Sequence, residues 1–239
     1  MSSDFNRNVS GRAASSEMTY DMGLRAYMLK VYNFMALGLG LTGLVSFIIS
    51  QTPSLVEALY SNSMLALVFL FLPFGLVLYL QFKIKDMSFQ KAQAMFWLYA
   101  ALMGLALTPI FLVYTGTSIA RVFFITAGTF GSMSLYGYTT QRDLSAWGSF
   151  LFMGLIGIII GGLVNIFLQS SAFQFALSII GVLIFTGLTA YDTQTIKEIY
   201  ASSDSQEIAG KKAIMGALTL YLDFINLFLM LLRLFGDRR

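Results

Sequence analysis

Residues 217–228 read Ala-Leu-Thr-Leu-Tyr-Leu-Asp-Phe-Ile-Asn-Leu-Phe, an apolar run that one carboxylate, Asp223, interrupts. Apolar sequence extends on both sides, from about Ala213 to Phe235, which is long enough to cross the hydrocarbon core of a membrane. The whole chain has this character, because 57 % of its 239 residues are hydrophobic and only 11 % are charged. A soluble domain carries about 25 % charged residues. The sequence therefore predicts a membrane protein that is surrounded by the lipid bilayer.

Six further stretches meet the requirement for a membrane span, which is about 20 mostly apolar residues. The seven predicted spans are Val31–Ser50, Met64–Phe82, Ala94–Val113, Ile119–Tyr138, Trp147–Leu168, Ala172–Tyr191 and Ala213–Phe235. The sequence thus predicts an all-α membrane protein with seven transmembrane helices in one domain, residues 30–239. Residues 1–29 are polar and are predicted to form a flexible cytoplasmic tail. The longest connection, Thr193–Lys212, is predicted to be a polar loop.

The distribution of positive charge predicts the orientation of the chain. Eleven of the fifteen Lys and Arg residues lie in the N-terminal tail or in the connections after spans two, four and six. Basic residues are enriched on the cytoplasmic side of membrane proteins. We therefore expect a cytoplasmic N-terminus and an external C-terminus.

Several classes of function are excluded by the composition. The chain has no cysteine and no histidine, which rules out thiolate metal sites and a Ser-His-Asp triad. The net charge of +3 is too small and too scattered for nucleic-acid binding. An intramembrane aspartyl protease uses two carboxylates, but it has a glycine before the second one, where this chain has Leu222. We expect neither an enzyme nor a resident cofactor.

Two carboxylates, Asp192 and Asp223, stand out because they lie within or at the end of predicted spans. A charged Asp at the centre of a membrane helix costs several kcal/mol, so it must be paired, hydrated or protonated. The two spans are joined by one loop and are therefore expected to be antiparallel neighbours. Two carboxylates that meet where water is scarce cannot both ionise cheaply, so they share a proton. Such a pair is predicted to sense pH or to bind a hard cation such as Ca²⁺.

Neighbouring polar residues are candidates to support this pair. Thr189, Gln194, Tyr221 and Asn226 can donate hydrogen bonds to carboxylate oxygens, although ordinary hydrogen bonds between helices would explain each of them as well. The nearest basic residues include Lys83, at the end of span two, and Arg142, in the connection after span four. Either could latch to an ionised carboxylate.

Residues 187–197 (GLTAYDTQTIK) and 217–228 (ALTLYLDFINLF) resemble the two signature stretches of the Bax inhibitor 1 family. Residues 115–120 (TGTSIA) and 136–144 (YGYTTQRDL) resemble its bacterial YccA/YetJ-like branch. The resemblance implies seven helices with the last one central, in a multi-pass protein of the bacterial inner membrane. It also implies a pH-sensitive Ca²⁺ leak that a di-aspartyl sensor controls, with Asp192 and Asp223 at the sensor positions.

The resemblance also carries a departure and an alternative. In the family an arginine near the end of span two can latch to the aspartate of span six. Lys83 lies there in this chain and lacks the bidentate fork of arginine. The alternative function is a non-conducting modulator of a membrane-bound protease, with the N-terminal tail as its handle.

Overall fold

A computed structural model describes residues 21–239, and every structural statement below refers to that part of the chain. It is a bundle of eight helices, seven of which are long and apolar enough to cross a membrane. The helices are α1 (Asp21–Ser50), α2 (Pro53–Tyr60), α3 (Ser63–Lys83), α4 (Phe89–Val113), α5 (Gly116–Thr139), α6 (Ser145–Leu168), α7 (Ser171–Glu198) and α8 (Gln206–Phe235). The prediction of an all-α protein with seven membrane spans is confirmed.

Most of the long helices begin where one polar side chain can accept hydrogen bonds from the first turn. The capping residues are Asn62 for α3, Ser88 for α4, Thr115 for α5, Ser170 for α7 and Ser205 for α8. Such caps satisfy backbone N–H groups that have no partner inside the helix. These polar residues therefore mark where one membrane-spanning helix is separated from the next.

Helix α8 is the centre of the bundle. In its most apolar stretch, 72 % of the residues are buried within the protein, against 17–39 % for the other six spans. It packs against α1, α4, α5 and α7, whereas α3 packs on α4 and α6 packs on α7. The outer helices expose large apolar side chains such as Phe82 and Phe167, as expected of a surface that faces lipid. The prediction that the last helix is central is confirmed.

Glycines allow α5 and α6 to approach α7 closely. A Cβ atom at Gly137 of α5 would overlap the backbone of Ala190 in α7. A Cβ atom at Gly154 or Gly161 of α6 would overlap Ile184 or Leu177 of α7. Small residues favour tight packing in lipid, where dispersion and hydrogen bonds hold helices together.

The first helix starts earlier than the predicted span, which began at Val31. Residues 21–29 are helical, and Leu24, Tyr27 and Met28 are buried at one face of α1. Their spacing of three and four residues continues the apolar stripe of the span itself. The last nine residues of the predicted flexible tail are therefore part of the packed bundle, and residues 1–20 of that tail lie outside the described residues.

The connections also differ from those predicted. The predicted loop Thr193–Lys212 is mostly helix, because α7 continues to Glu198 and α8 begins at Gln206. The short helix α2 was not predicted, since its eight residues are too few to form a membrane span. The end of α7 and the start of α8 are polar, so these helices continue beyond their apolar runs. Hydropathy predicts the part of a helix that crosses the membrane, and not the residue at which the helix ends.

Side-chain contacts gather the connections after α3, α5 and α7 at one end of the bundle. Lys211 Nζ donates to the backbone carbonyl of Lys85 at 3.1 Å, and Gln194 Nε2 donates to that of Arg142 at 2.9 Å. At the other end, Arg121 forms a 2.9 Å ion pair with Asp237, which ties the C-terminal residues to α5. Most of the basic residues thus lie at the end where α1 begins, and a cytoplasmic location of that end stays a prediction.

Candidate functional site: a carboxyl pair between helices α7 and α8

The register of the antiparallel helices α7 and α8 brings the two intramembrane acids together. Gly216 of α8 lies against Ile196 of α7, and Gly181 of α7 lies against Met230 of α8. In this register Asp192 faces the turn of α8 that ends at Asp223. Helix α7 continues to Glu198, so Asp192 lies inside the helix and not at its end. Asp192 can therefore lie at the same depth in the membrane as Asp223.

The side chains of Asp192 and Asp223 lie next to each other and line the same cavity. An ionised carboxylate only accepts hydrogen bonds, so adjacent carboxyl groups can bond to each other only when one of them carries a proton. Asp223 is 5 % exposed, and its Oδ2 atom is buried without a hydrogen-bond partner. Asp192 is half-buried. The inner acid is therefore screened from water and the outer acid is accessible.

The pair lies at a cavity of about 550 Å³ between α3, α6, α7 and α8. The lining side chains of α7 and α8 include Tyr191, Asp192, Thr219, Asp223 and Asn226, and α3 contributes Gln81. Gly148 at the start of α6 also lines the cavity, and its lack of a side chain leaves room for the ring of Tyr191. The cavity therefore combines two acids with several neutral oxygen atoms.

Of the four predicted supporting residues, only Asn226 lines this cavity. Its Nδ2 atom donates to the carbonyl of Leu222 at 2.9 Å. No described residue donates to its Oδ1 atom, so that oxygen is available to a ligand in the cavity.

The other three predicted supporting residues form hydrogen bonds elsewhere, which corrects the sequence-based assignment. Thr189 Oγ1 donates to the carbonyl of Phe185 at 2.8 Å within α7. Gln194 accepts from the backbone N–H of Leu144 and donates to the Arg142 carbonyl, so it holds the α5–α6 connection. The hydroxyl of Tyr221 lies 2.6 Å from that of Thr42 on α1. Proximity along the sequence did not reveal the direction in which each side chain points around its helix.

The two candidate latches do not line the cavity either. Lys83 Nζ lies 3.4 Å from Asp86, and both side chains are more than half exposed. The side chain of Arg142 is exposed, and its backbone carbonyl is the acceptor for Gln194. In the part of the chain that the structure describes, none of the ion pairs involves Asp192 or Asp223. No basic side chain among the described residues therefore neutralises the carboxyl pair.

Comparison with known protein families finds one family whose model covers nearly all of the described residues. The model of the family described as "Inhibitor of apoptosis-promoting Bax1" matches residues 24–239, which include all seven spans except the first residues of α1. The chain belongs to the Bax inhibitor 1 family.

The relatives of this Bax inhibitor 1 family member are similar over nearly their whole length. An uncharacterized protein of Rickettsia prowazekii is 50 % identical over 94 % of this chain and 95 % of its own. The inner membrane protein YbhL of Escherichia coli is 49 % identical over 91 % of this chain and 94 % of its own. A protein of Deinococcus radiodurans is 39 % identical over 95 % of this chain and 96 % of its own. Together with the seven spans, the similarity to YbhL places the chain in the inner membrane as a multi-pass protein.

Two residues at the site of this family member were missed by the sequence reasoning. Gln81 is the one amide side chain in the otherwise apolar sequence of α3. Thr219 precedes Asp223 by four residues and therefore shares its face of α8. Both signals are present in the sequence and could have identified the cavity lining.

The residues of the cavity suit a cation with a preference for oxygen ligands. Among residues 21–239 there is no group of three or more acidic or other strong metal-binding side chains. The site instead has two carboxyl groups and the neutral side chains of Gln81, Thr219 and Asn226. Carboxylates and amide carbonyls are ligands of Ca²⁺ in proteins. A set with only two carboxylates is better suited to transient than to permanent binding.

Proposed function

We propose that this protein provides a pH-sensitive leak for Ca²⁺ across the inner membrane, gated by the Asp192–Asp223 pair. The observation that carries the proposal is that two adjacent carboxyl groups line one cavity within a bundle of seven membrane-spanning helices. Ionisable groups inside a membrane domain commonly mark ion pathways or proton relays. Ca²⁺ enters the proposal as the transported ion and not as a resident cofactor.

Loss of the shared proton supplies the driving force for gating. With one proton present, the pair carries a single negative charge at most and the two helices are bonded through it. When that proton leaves, two negative charges lie adjacent in surroundings of low dielectric constant and repel each other strongly. The described residues place no basic side chain beside them to offset this repulsion. The ionised pair must therefore separate or bind a cation.

A divalent cation matches the ionised pair in charge. Two carboxylates balance the charge of one Ca²⁺ ion, and the oxygen atoms of Gln81, Thr219 and Asn226 can complete part of its shell. Water in the cavity would supply further ligands. Conduction requires a site that binds well enough for entry and weakly enough for release. We expect a set with only two carboxylates to release the ion readily.

The packing of α8 beyond the pair accounts for a closed passage. The lining of the cavity on α8 ends at Asn226, and Leu227, the next residue, is fully buried. Leu231, the next turn along, is also buried. Ion passage therefore requires a movement of α7 relative to α8, and the repulsion between ionised carboxylates acts between these two helices.

Flux of Ca²⁺ into liposomes that contain the purified protein tests the proposal. The unaltered protein is expected to show a flux that changes with pH over roughly pH 6 to 8, the range in which a shared-proton pair can switch. Asp192→Asn and Asp223→Asn each remove one acid with little change in shape, and each should abolish the pH dependence. Asp143→Asn is the matched control, because Asp143 is an exposed acid in the α5–α6 connection. Unchanged flux and unchanged pH dependence in both site variants would refute the mechanism.

The alternative function, modulation of a membrane-bound protease without conduction, rests on the N-terminal tail. Residues 1–20 lie outside the described residues, so no contact of the bundle favours this alternative. A protein that shows no Ca²⁺ flux at any pH but retains a protease partner only when residues 1–20 are present would support it over the leak.

A further inference from the structure

A second cavity of about 1090 Å³ runs between α1 and α5, on the side of α8 that does not carry the carboxyl pair. Its floor is formed by aromatic side chains, among them Phe130 of α5 and Phe224 of α8, which are both buried. We call it the α1–α5 groove. We propose that the α1–α5 groove binds one acyl chain of an anionic phospholipid whose phosphate pairs with Arg25.

The length and shape of the groove suit an extended hydrocarbon chain. Its lining along α1 runs from Arg25 to Phe47, which corresponds to about 33 Å at the rise of an α-helix. That length exceeds one leaflet of a bilayer whose hydrocarbon core is about 30 Å thick. Gly40 and Gly43 deepen the wall, since a Cβ atom at either position would meet no other atom within 4 Å. The surrounding lipid has direct access to this depression.

The positive charge of Arg25 lies at one end of the groove and favours a lipid with an anionic headgroup. Arg25 is exposed in the first turns of α1, and no described residue forms an ion pair or hydrogen bond with it. A second cation lies at the same end, because Lys197 Nζ is 5.4 Å from the centre of the Tyr138 ring, which lines the groove. Helix α1 spans 30 residues, or about 45 Å, so its first turns extend to the level of the headgroups.

An arginine that has no partner among residues 21–239 and lies beside an apolar groove favours a lipid phosphate over a neutral membrane helix. Arginine binds phosphate in a bidentate manner, and one basic residue near an anionic membrane surface contributes about 1 kcal/mol. The polar pair Tyr32–Ser134, whose hydroxyl oxygens lie 2.6 Å apart, joins α1 to α5 beneath the mouth of the groove. The groove therefore has a polar, positive end and an apolar length, which is the pattern of an anionic phospholipid.

Native mass spectrometry of the full chain in detergent, with added phosphatidylglycerol or phosphatidylcholine, tests this inference. We expect preferential retention of phosphatidylglycerol. Arg25→Ala should weaken its retention about fivefold, as the loss of about 1 kcal/mol implies, and Arg25→Lys should restore part of it. Lys30→Ala is the matched control, because Lys30 is a basic residue of α1 that lies over the Phe89 ring, away from the groove.

A variant that fills the groove tests lipid binding independently of the charge of Arg25. Gly43→Leu places a side chain in open space and should fold, yet it should reduce retention of both lipids. Equal retention of the two lipids by the unaltered protein, or unchanged retention in Arg25→Ala or Gly43→Leu, would overturn the proposal. Dimers that Gly43→Leu abolishes would also overturn it and would assign the groove to a second copy of the chain.

Discussion

The hydroxyl oxygens of Tyr221 on α8 and Thr42 on α1 lie 2.6 Å apart in the centre of the bundle. Thr42 Oγ1 also donates to the backbone carbonyl of Ala100 on α4 at 2.8 Å. The single hydroxyl proton of Thr42 is thus in use, so Tyr221 must be the donor of the shared hydrogen bond. This chain of hydrogen bonds joins α8, α1 and α4 two residues from Asp223.

Removing the tyrosine hydroxyl should destabilise the bundle without altering its shape. Tyr221→Phe removes one buried hydrogen bond between helices, and we expect a loss of about 1 kcal/mol in the free energy of unfolding. The measurement is denaturant unfolding of the protein in detergent micelles. A double-mutant cycle with Thr42→Val isolates the interaction, and a coupling energy of zero would contradict it.

Close packing of α5 on α7 should make Gly137 intolerant of substitution. A Cβ atom at this position would overlap the backbone of Ala190, which cannot move aside as a side chain can. We expect Gly137→Ala to destabilise the protein by about 1–3 kcal/mol, the range for overpacked cores. The control is Gly128→Ala on the same helix, where a Cβ atom meets nothing within 4 Å. Equal stability of the two variants would show that α5 does not approach α7 as described.

The stability of the start of α6 should depend on pH through the carboxyl group of Asp143. The hydroxyl and the backbone N–H of Ser145 bond this carboxylate and lower its pKa below the ordinary value. A carboxyl whose pKa is lowered by folding stabilises the folded form above its unfolded pKa, and this contribution is lost as pH falls through the lowered pKa. Nuclear magnetic resonance titration of the Asp143 carboxyl carbon should give a higher pKa in Ser145→Ala. An unchanged pKa would show that the serine hydroxyl does not contribute.

Substitutions can show whether Lys83 binds the carboxyl pair or only its neighbour Asp86. Because Lys83 pairs with Asp86 in water at the end of α3, Lys83→Met should change the pH dependence of Ca²⁺ flux little. Asp86→Asn is the matched variant, since it releases Lys83 and keeps its charge. If Lys83→Met instead shifts the pH response as strongly as Asp192→Asn, the lysine does latch to the carboxyl pair in another state of the protein.

Much of the fold followed from the sequence because transfer into lipid depends on local composition. A run of about 20 apolar residues crosses the membrane whatever its neighbours are, and all seven spans were predicted on that basis. The same reasoning singled out Asp192 and Asp223, since a carboxyl group in an apolar run needs a partner or a proton wherever the run is placed. Family resemblance, and not hydropathy, predicted that α8 would be central.

Tertiary structure alone decided where each polar side chain points. Tyr221 and Gln194 lie close to the acids in sequence, yet one bonds α1 and the other holds the α5–α6 connection. Gln81 is more than a hundred residues away in sequence and lines the same cavity as the acids. The sequence determined which segments enter the membrane and which two acids are costly there. The rotation and register of each helix depend on contacts between distant segments, so only the packed bundle brought those acids together and separated them from Lys83.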